Sequence, residues 1–161
     1  MVGSWEGFFA AQVGASAALA GLVFVGISIN LSKIMSFPGL PGRAAEALVM
    51  LSLVLFTASL ALVPGQSRLL LGLEVFIIGL TVWAISSNIL HKSGDLLKSE
   101  HRNSFVARMV LCEIAVLPYL IAGIALLAGY QGGLYWLVPG MLACYLVALI
   151  GAWVLLIEIN R

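Results

Sequence analysis

The chain has 161 residues, 62% of them hydrophobic and 9% charged, against roughly 45–50% and about 25% in an ordinary globular domain, so a water-soluble fold is excluded and a membrane protein implied. A net charge of +1 with no basic tract leaves out the electrostatic footprint that nucleic-acid binding needs. Cys112 and Cys144 sit inside apolar runs without metal-ligand spacing and read as buried free thiols, so no disulfide framework, metal or cofactor is expected.

In chain order, the first apolar run covers about residues 8–32. It has no Lys or Arg ahead of it and exceeds the roughly 7–15 apolar residues of a signal peptide, so it is expected to stay as a first span. Four further runs, about 44–63, 69–90, 105–128 and 134–157, also reach the ~20 residues that cross a bilayer. Turns are expected at SFPGLPG (36–42), PGQSR (64–68) and GYQGG (129–133), where Pro and Gly punctuate the chain. The stretch 91–104, HKSGDLLKSEHRNS, is expected to be the one sizeable polar loop.

Lys and Arg accumulate on the cytoplasmic side of membrane proteins. With the N-terminus outside, Lys33, Arg43, Lys92, Lys98, Arg102, Arg108 and Arg161 fall inside and Arg68 alone falls outside. Trp5, Phe8, Phe9, Tyr130, Tyr135 and Trp136 then form an aromatic belt at the outer interface. The expected architecture is an all-α bundle of five transmembrane helices over residues 1–161, N-terminus outside and C-terminus cytoplasmic.

Small residues let membrane helices approach closely. Ala10, Gly14, Ala17, Ala18 and Gly21 recur along one stripe of the first span, which predicts a central packing element that touches several neighbours or its own copy. Ionisable residues at membrane depth are functional candidates by default. Arg43 and Glu46, three residues apart at the start of the second span, read as a local structural ion pair. Glu158 reaches water at the end of the last span. Glu74 lies six residues after Arg68, about 8 Å along the axis, at a depth where Gln12 could bond it. This reads either as an interhelical clamp or as part of an ion or proton path.

Glu113 is the deepest acid, and Arg108, five residues earlier, faces elsewhere. It therefore needs a partner on another helix, a hydrated cavity or a bound proton, and Pro118 is expected to kink the helix nearby. Ser28, Asn30, Ser86, Ser87 and Asn88 read as interhelical hydrogen-bonding groups, with a polar path extending from Glu113 as the alternative. His91, Asp95, Glu100 and His101 fit no metal signature and read as a solvated loop. No nucleophile, zinc or phosphate-loop motif is present in the sequence, so an enzyme is not expected.

The runs W-E-x-F-F (5–9), G-A-S-A-A-L-A-G-L-V-F-V (14–25), S-I-N-L (28–31), L-P-G-R-A-A-E (40–46), L-V-P-G-Q (62–66) and L-G-L-E (71–74) resemble a family of small bacterial polytopic membrane proteins. The resemblance covers roughly the first half of the chain. It implies weight on Trp5, Glu6, Arg43, Glu46, Gln66 and Glu74, and some members have been labelled modulators of a membrane-anchored ATP-dependent protease. The functional expectation is a non-enzymatic, homo-oligomeric protein of the bacterial cytoplasmic membrane that conducts or binds a small ion or proton, with Glu74, Glu113 and Gln12 as the polar candidates. An accessory subunit of a larger membrane complex is the alternative, and binding of a lipid or hydrophobic ligand the third. The partners expected are membrane lipids, further copies of the chain or that larger complex, and no nucleic acid.

Overall fold

A computed structural model describes residues 3–37, 39–96 and 102–160, and every regular element among them is helical. Helix α1 (Gly3–Ile29) is followed by a short α2 (Leu31–Ser36). Asn30, at φ −110° and ψ 17°, leaves the helical region between them, while its side-chain amide donates to the Gly26 carbonyl at 3.1 Å. A side-chain bond to nearby backbone is the way Asn competes with helix propagation. Helix α3 (Leu40–Ala61) starts after Gly39, whose φ of +94° only glycine adopts freely, with proline in its first turn.

Helix α4 (Arg68–Leu96) begins where the Ser67 hydroxyl accepts the Leu70 N–H at 3.2 Å. Helix α5 (Arg102–Leu127) stays helical through Pro118. It closes on Gly129 at φ +79°, with the Tyr130 N–H bonded back to the Ala125 carbonyl at 2.9 Å, an ending that satisfies carbonyls left over at the helix terminus. A 3-10 segment (Gln131–Trp136) leads into α6 (Leu137–Asn160).

Five helical stretches are long and apolar enough to cross a membrane: Trp5–Ile29, Leu40–Ala61, Arg68–Ile89, Val106–Leu127 and Gly132–Ile157. These match the five runs read from the sequence within a few residues. Of the stretch 91–104 expected as a loop, residues 91–96 and 102–104 are helical. Helix α4 carries on to Leu96 and α5 has already begun at Arg102, and no proline interrupts the stretch. Lys98, Glu100 and His101 lie outside the described residues.

Helices α3, α4, α5 and α6 form a closed ring in which each packs on the next and α6 returns to α3. Short connections make ring neighbours antiparallel, an up-down-up-down four-helix bundle. Its middle is filled by Met50, Leu53, Val54, Val75, Val116 and Tyr119, all 0–1% exposed. Large apolar side chains such as Leu22, Phe24 and Trp153 point outward, the arrangement a hydrocarbon solvent permits.

The tightest seam is between α4 and α5. A Cβ on Gly123 would lie 2.8 Å from the Phe76 Cβ and 3.0 Å from the Gly72 carbonyl oxygen, and one on Gly72 would meet the Leu126 Cβ at 2.8 Å. Gly140 of α6 leaves room for the Tyr119 ring in the same way.

Helix α1 lies outside the ring, along α3. It packs with Phe9, Ser16, Leu19, Ala20 and Val23, so it is not the central element the small residues predicted. Ala10, Gly14, Ala17, Ala18 and Gly21 are all exposed. Trp5 meets Tyr135 at a ring-centroid distance of 4.9 Å and stacks near Phe9 at 5.7 Å, which fixes one end of the bundle as its aromatic end. Lys33, Arg43 and Arg108 belong to the opposite, basic end.

Candidate functional site

At the basic end a polar tie crosses the bundle diagonally, between helices that are not ring neighbours. Glu46 of α3 is 4% exposed. Its Oε2 accepts the Arg108 Nε–H at 2.9 Å and a second bond from the same guanidinium, while its Oε1 accepts the Cys112 thiol. Arg108 and Cys112 are four residues apart on α5, one above the other on a single helix face. A buried carboxylate needs a charge partner and further donors to be tolerated, and this pair of residues supplies both.

Glu46 therefore makes an interhelical ion pair with Arg108, a partner beyond the local Arg43 to which the sequence points. Arg43 lines a pocket of about 20 Å³ with Glu46, Arg108 and Gly151, room for about one water. Cys112 is buried and free, as its apolar surroundings predict, and it is also a donor to Glu46; a cysteine four residues after an arginine is the signal available for that role.

Glu74 and Gln12 do not pair. The Glu74 carboxylate is bonded instead by the side-chain amide of Gln66 in the turn between α3 and α4. Gln12 has its side-chain oxygen buried without a hydrogen-bond partner. The Gln12 backbone carbonyl accepts the Ser16 hydroxyl at 2.7 Å and the Tyr145 hydroxyl of α6 at 3.2 Å. The place of Gln66 in a P-G-Q turn just ahead of α4 explains why it can close on Glu74.

Glu113 finds its partner on α4. The Trp83 indole N–H donates to both carboxylate oxygens at 3.0 Å. Trp83 is 40% exposed, and Val110, Ile114 and Leu117 around Glu113 face outward, so the contact sits on the lipid-facing rim. Trp83 lies nine residues beyond Glu74, hence about 13 Å further along α4 and about 180° around it. The structure thus gives Glu74, Glu113 and Gln12 different surroundings and no bond to one another.

Ser28, Asn30 and Asn88 bond carbonyls four residues back on their own helices, at 2.8, 3.1 and 2.8 Å, not groups on neighbouring helices as expected. Ser86 is buried with its hydroxyl unpartnered. Among the described residues no group of three His, Cys, Asp or Glu side chains could hold a metal.

Two features of α1 remain. On its outward side Gly7 joins the five small residues of the stripe, so that Gly7, Ala10, Gly14, Ala17 and Gly21 repeat with a spacing of three and four, all exposed. That is the heptad spacing by which two helices keep one seam in contact. A Cβ built on Gly7, Gly14 or Gly21 meets nothing within 4 Å, whereas Gly72, Gly79, Gly123 and Gly140 are each pressed against a neighbour. On another side, α1 and α2 leave a groove of about 260 Å³ against α6.

In comparisons with known proteins, no family model, curated protein or solved structure matches the chain.

Proposed function

We propose that this integral membrane protein is a non-enzymatic, self-associating component of the bacterial cytoplasmic membrane, whose copies meet along the outward face of α1. One observation carries the reading: the glycines inside the bundle are used for close approach, while those at 7, 14 and 21, seven residues apart on one membrane helix, have open space in front of them. In lipid, helix association draws on close packing rather than on hydrophobic burial. A seam of Gly and Ala is the surface that permits it. Copies in one membrane share an orientation, so a two-fold contact brings each seam residue against its own counterpart.

The test is native mass spectrometry of gently extracted protein together with oxidative cross-linking. Wild-type protein should run as a homo-oligomer of defined number, Gly14→Cys should cross-link to itself, and Gly14→Leu combined with Gly21→Leu should give monomers with an unchanged melting midpoint. A monomeric wild type, or an oligomer indifferent to the double leucine variant, overturns the reading. A monomer recovered with a larger complex would make the same face the contact of an accessory subunit.

Glu113 favours a second reading, binding or passage of a small cation or proton at the membrane rim between copies. Its carboxylate lies well inside a membrane-length helix and both its bonds come from one indole N–H, which leaves acceptor capacity open. Ion flux into proteoliposomes should then fall at least tenfold in Glu113→Gln with assembly intact. Equal flux in the two proteins removes this reading.

A further inference from the structure

The groove beside α6 has a shape and a chemistry of its own. Leu19, Leu22, Gly26 and Asn30 form its wall on α1, Ile34 of α2 closes its end, and Ala152 and Leu156 are among the α6 residues facing them. Asn30 is the one polar side chain among the residues that line it. From Leu19 to Asn30 the wall is eleven residues, about 16 Å along the axis. Half of a ~30 Å hydrocarbon core is about 15 Å, so the groove runs the depth of one leaflet, the one at the basic end. Its volume falls short of the roughly 300–1,000 Å³ typical of pockets for compact ligands, and its length suits an extended chain. Gly26 contributes no side chain to fill it, and a Cβ there would meet nothing within 4 Å.

At the mouth stand Asn30 and Ile34, and the half-buried Lys33 immediately precedes Ile34 in α2. Basic side chains at the end of a cleft between membrane helices are the setting in which anionic lipid headgroups are held.

We infer that the α1–α2–α6 groove holds one acyl chain of a phospholipid from the leaflet at the basic end, with an anionic headgroup placed at Asn30 and Lys33. The site is independent of the α1 seam. Gly26 is five residues from Gly21, about 140° around the helix, so the two can fail separately.

The experiment uses the full chain reconstituted in vesicles of phosphatidylcholine with about one-fifth phosphatidylglycerol, extracted in mild detergent, with bound phospholipid counted per chain by native mass spectrometry. The wild type should keep one phospholipid per chain, enriched in phosphatidylglycerol over the vesicle composition. Gly26→Leu, which fills the groove from α1, and Ala152→Leu, which fills it from α6, should each lose that lipid; the second keeps the test decisive if the first does not fold. Lys33→Gln should keep the lipid but lower the preference for phosphatidylglycerol about fivefold, one basic residue's share of the attraction. Absence of retained lipid in the wild type, retention unselective for headgroup, or equal retention in both filled variants would overturn the inference. So would disulfide cross-linking of Gly26→Cys to itself, which would show a second copy in the groove.

Discussion

Glu46→Leu should lower stability by about 3–5 kcal/mol, the usual cost of leaving one member of a buried ion pair unmatched. The Arg108 side chain is 13% exposed and the Glu46 side chain 6%, so the stranded guanidinium cannot simply turn to water. Removing both charges, in Glu46→Leu with Arg108→Met, should restore most of the loss, because an apolar pair of similar volume avoids the desolvation cost that the ions carry. Cys112→Ala should cost much less, about 1 kcal/mol, since it takes away a single donor to Oε1. Melting midpoints of the four proteins in one detergent or lipid nanodisc decide the matter. If the double variant is as unstable as Glu46→Leu, the charges are not acting as a pair, and the diagonal tie holds the bundle by packing alone.

The second large effect is expected where two helices touch through their backbones. Gly123→Ala should destabilise by about 1–3 kcal/mol, the range for overpacking a close-packed interior, and Gly123→Leu should prevent the native bundle from forming. The new Cβ would meet the Phe76 Cα and the Gly72 carbonyl oxygen, both at 3.0 Å, and a backbone atom on a rigid helix cannot swing aside. Shortening Phe76 to Ala should therefore rescue little. Gly14→Ala supplies the contrast: within a single chain its Cβ meets nothing within 4 Å, so on monomeric protein it should stay within about 0.5 kcal/mol of wild type, as changes away from packed features do. Equal effects at positions 14 and 123 would mean that the α4–α5 seam is looser than its geometry implies.

The spans were legible because crossing a bilayer is a matter of length and apolarity along one dimension. Each of the five runs has both, and each became a helix. Which side of a helix faces inward was not legible, because these spans are apolar all round and carry no strong periodicity to point the way. The small-residue stripe of α1 suggests a central element for that reason, while the glycines that join helices, at 72, 79, 123 and 140, are scattered over three helices and form no stripe. Polar partners suffered similarly. Arg43 is three residues from Glu46 and so suggests itself, but Arg108 is 62 residues away, and only the closed ring of helices brings it across. Glu113 could be seen to need a donor on another helix, though nothing in the sequence singled out Trp83 from the other tryptophans. The end of α1 was the nearest to readable of the misses: an asparagine in an apolar run is a weak helix former, and the helix does break at Asn30.

The closed ring also has a history, because a chain is made from its first residue onward. Helices α1 and α3 come off the ribosome as one hairpin, α4 and α5 as another, and α6 is the last to arrive. Until it does, the cleft between α3 and α5 stands open to lipid, with Gly140 and Cys144 not yet against Tyr119 and Met50. A ribosome stalled in the final span would leave two hairpins joined along one edge, with the buried charge pair near an unsealed wall. Membrane surveillance would have that interval in which to recognise the unfinished molecule, and the arrival of α6 ends it.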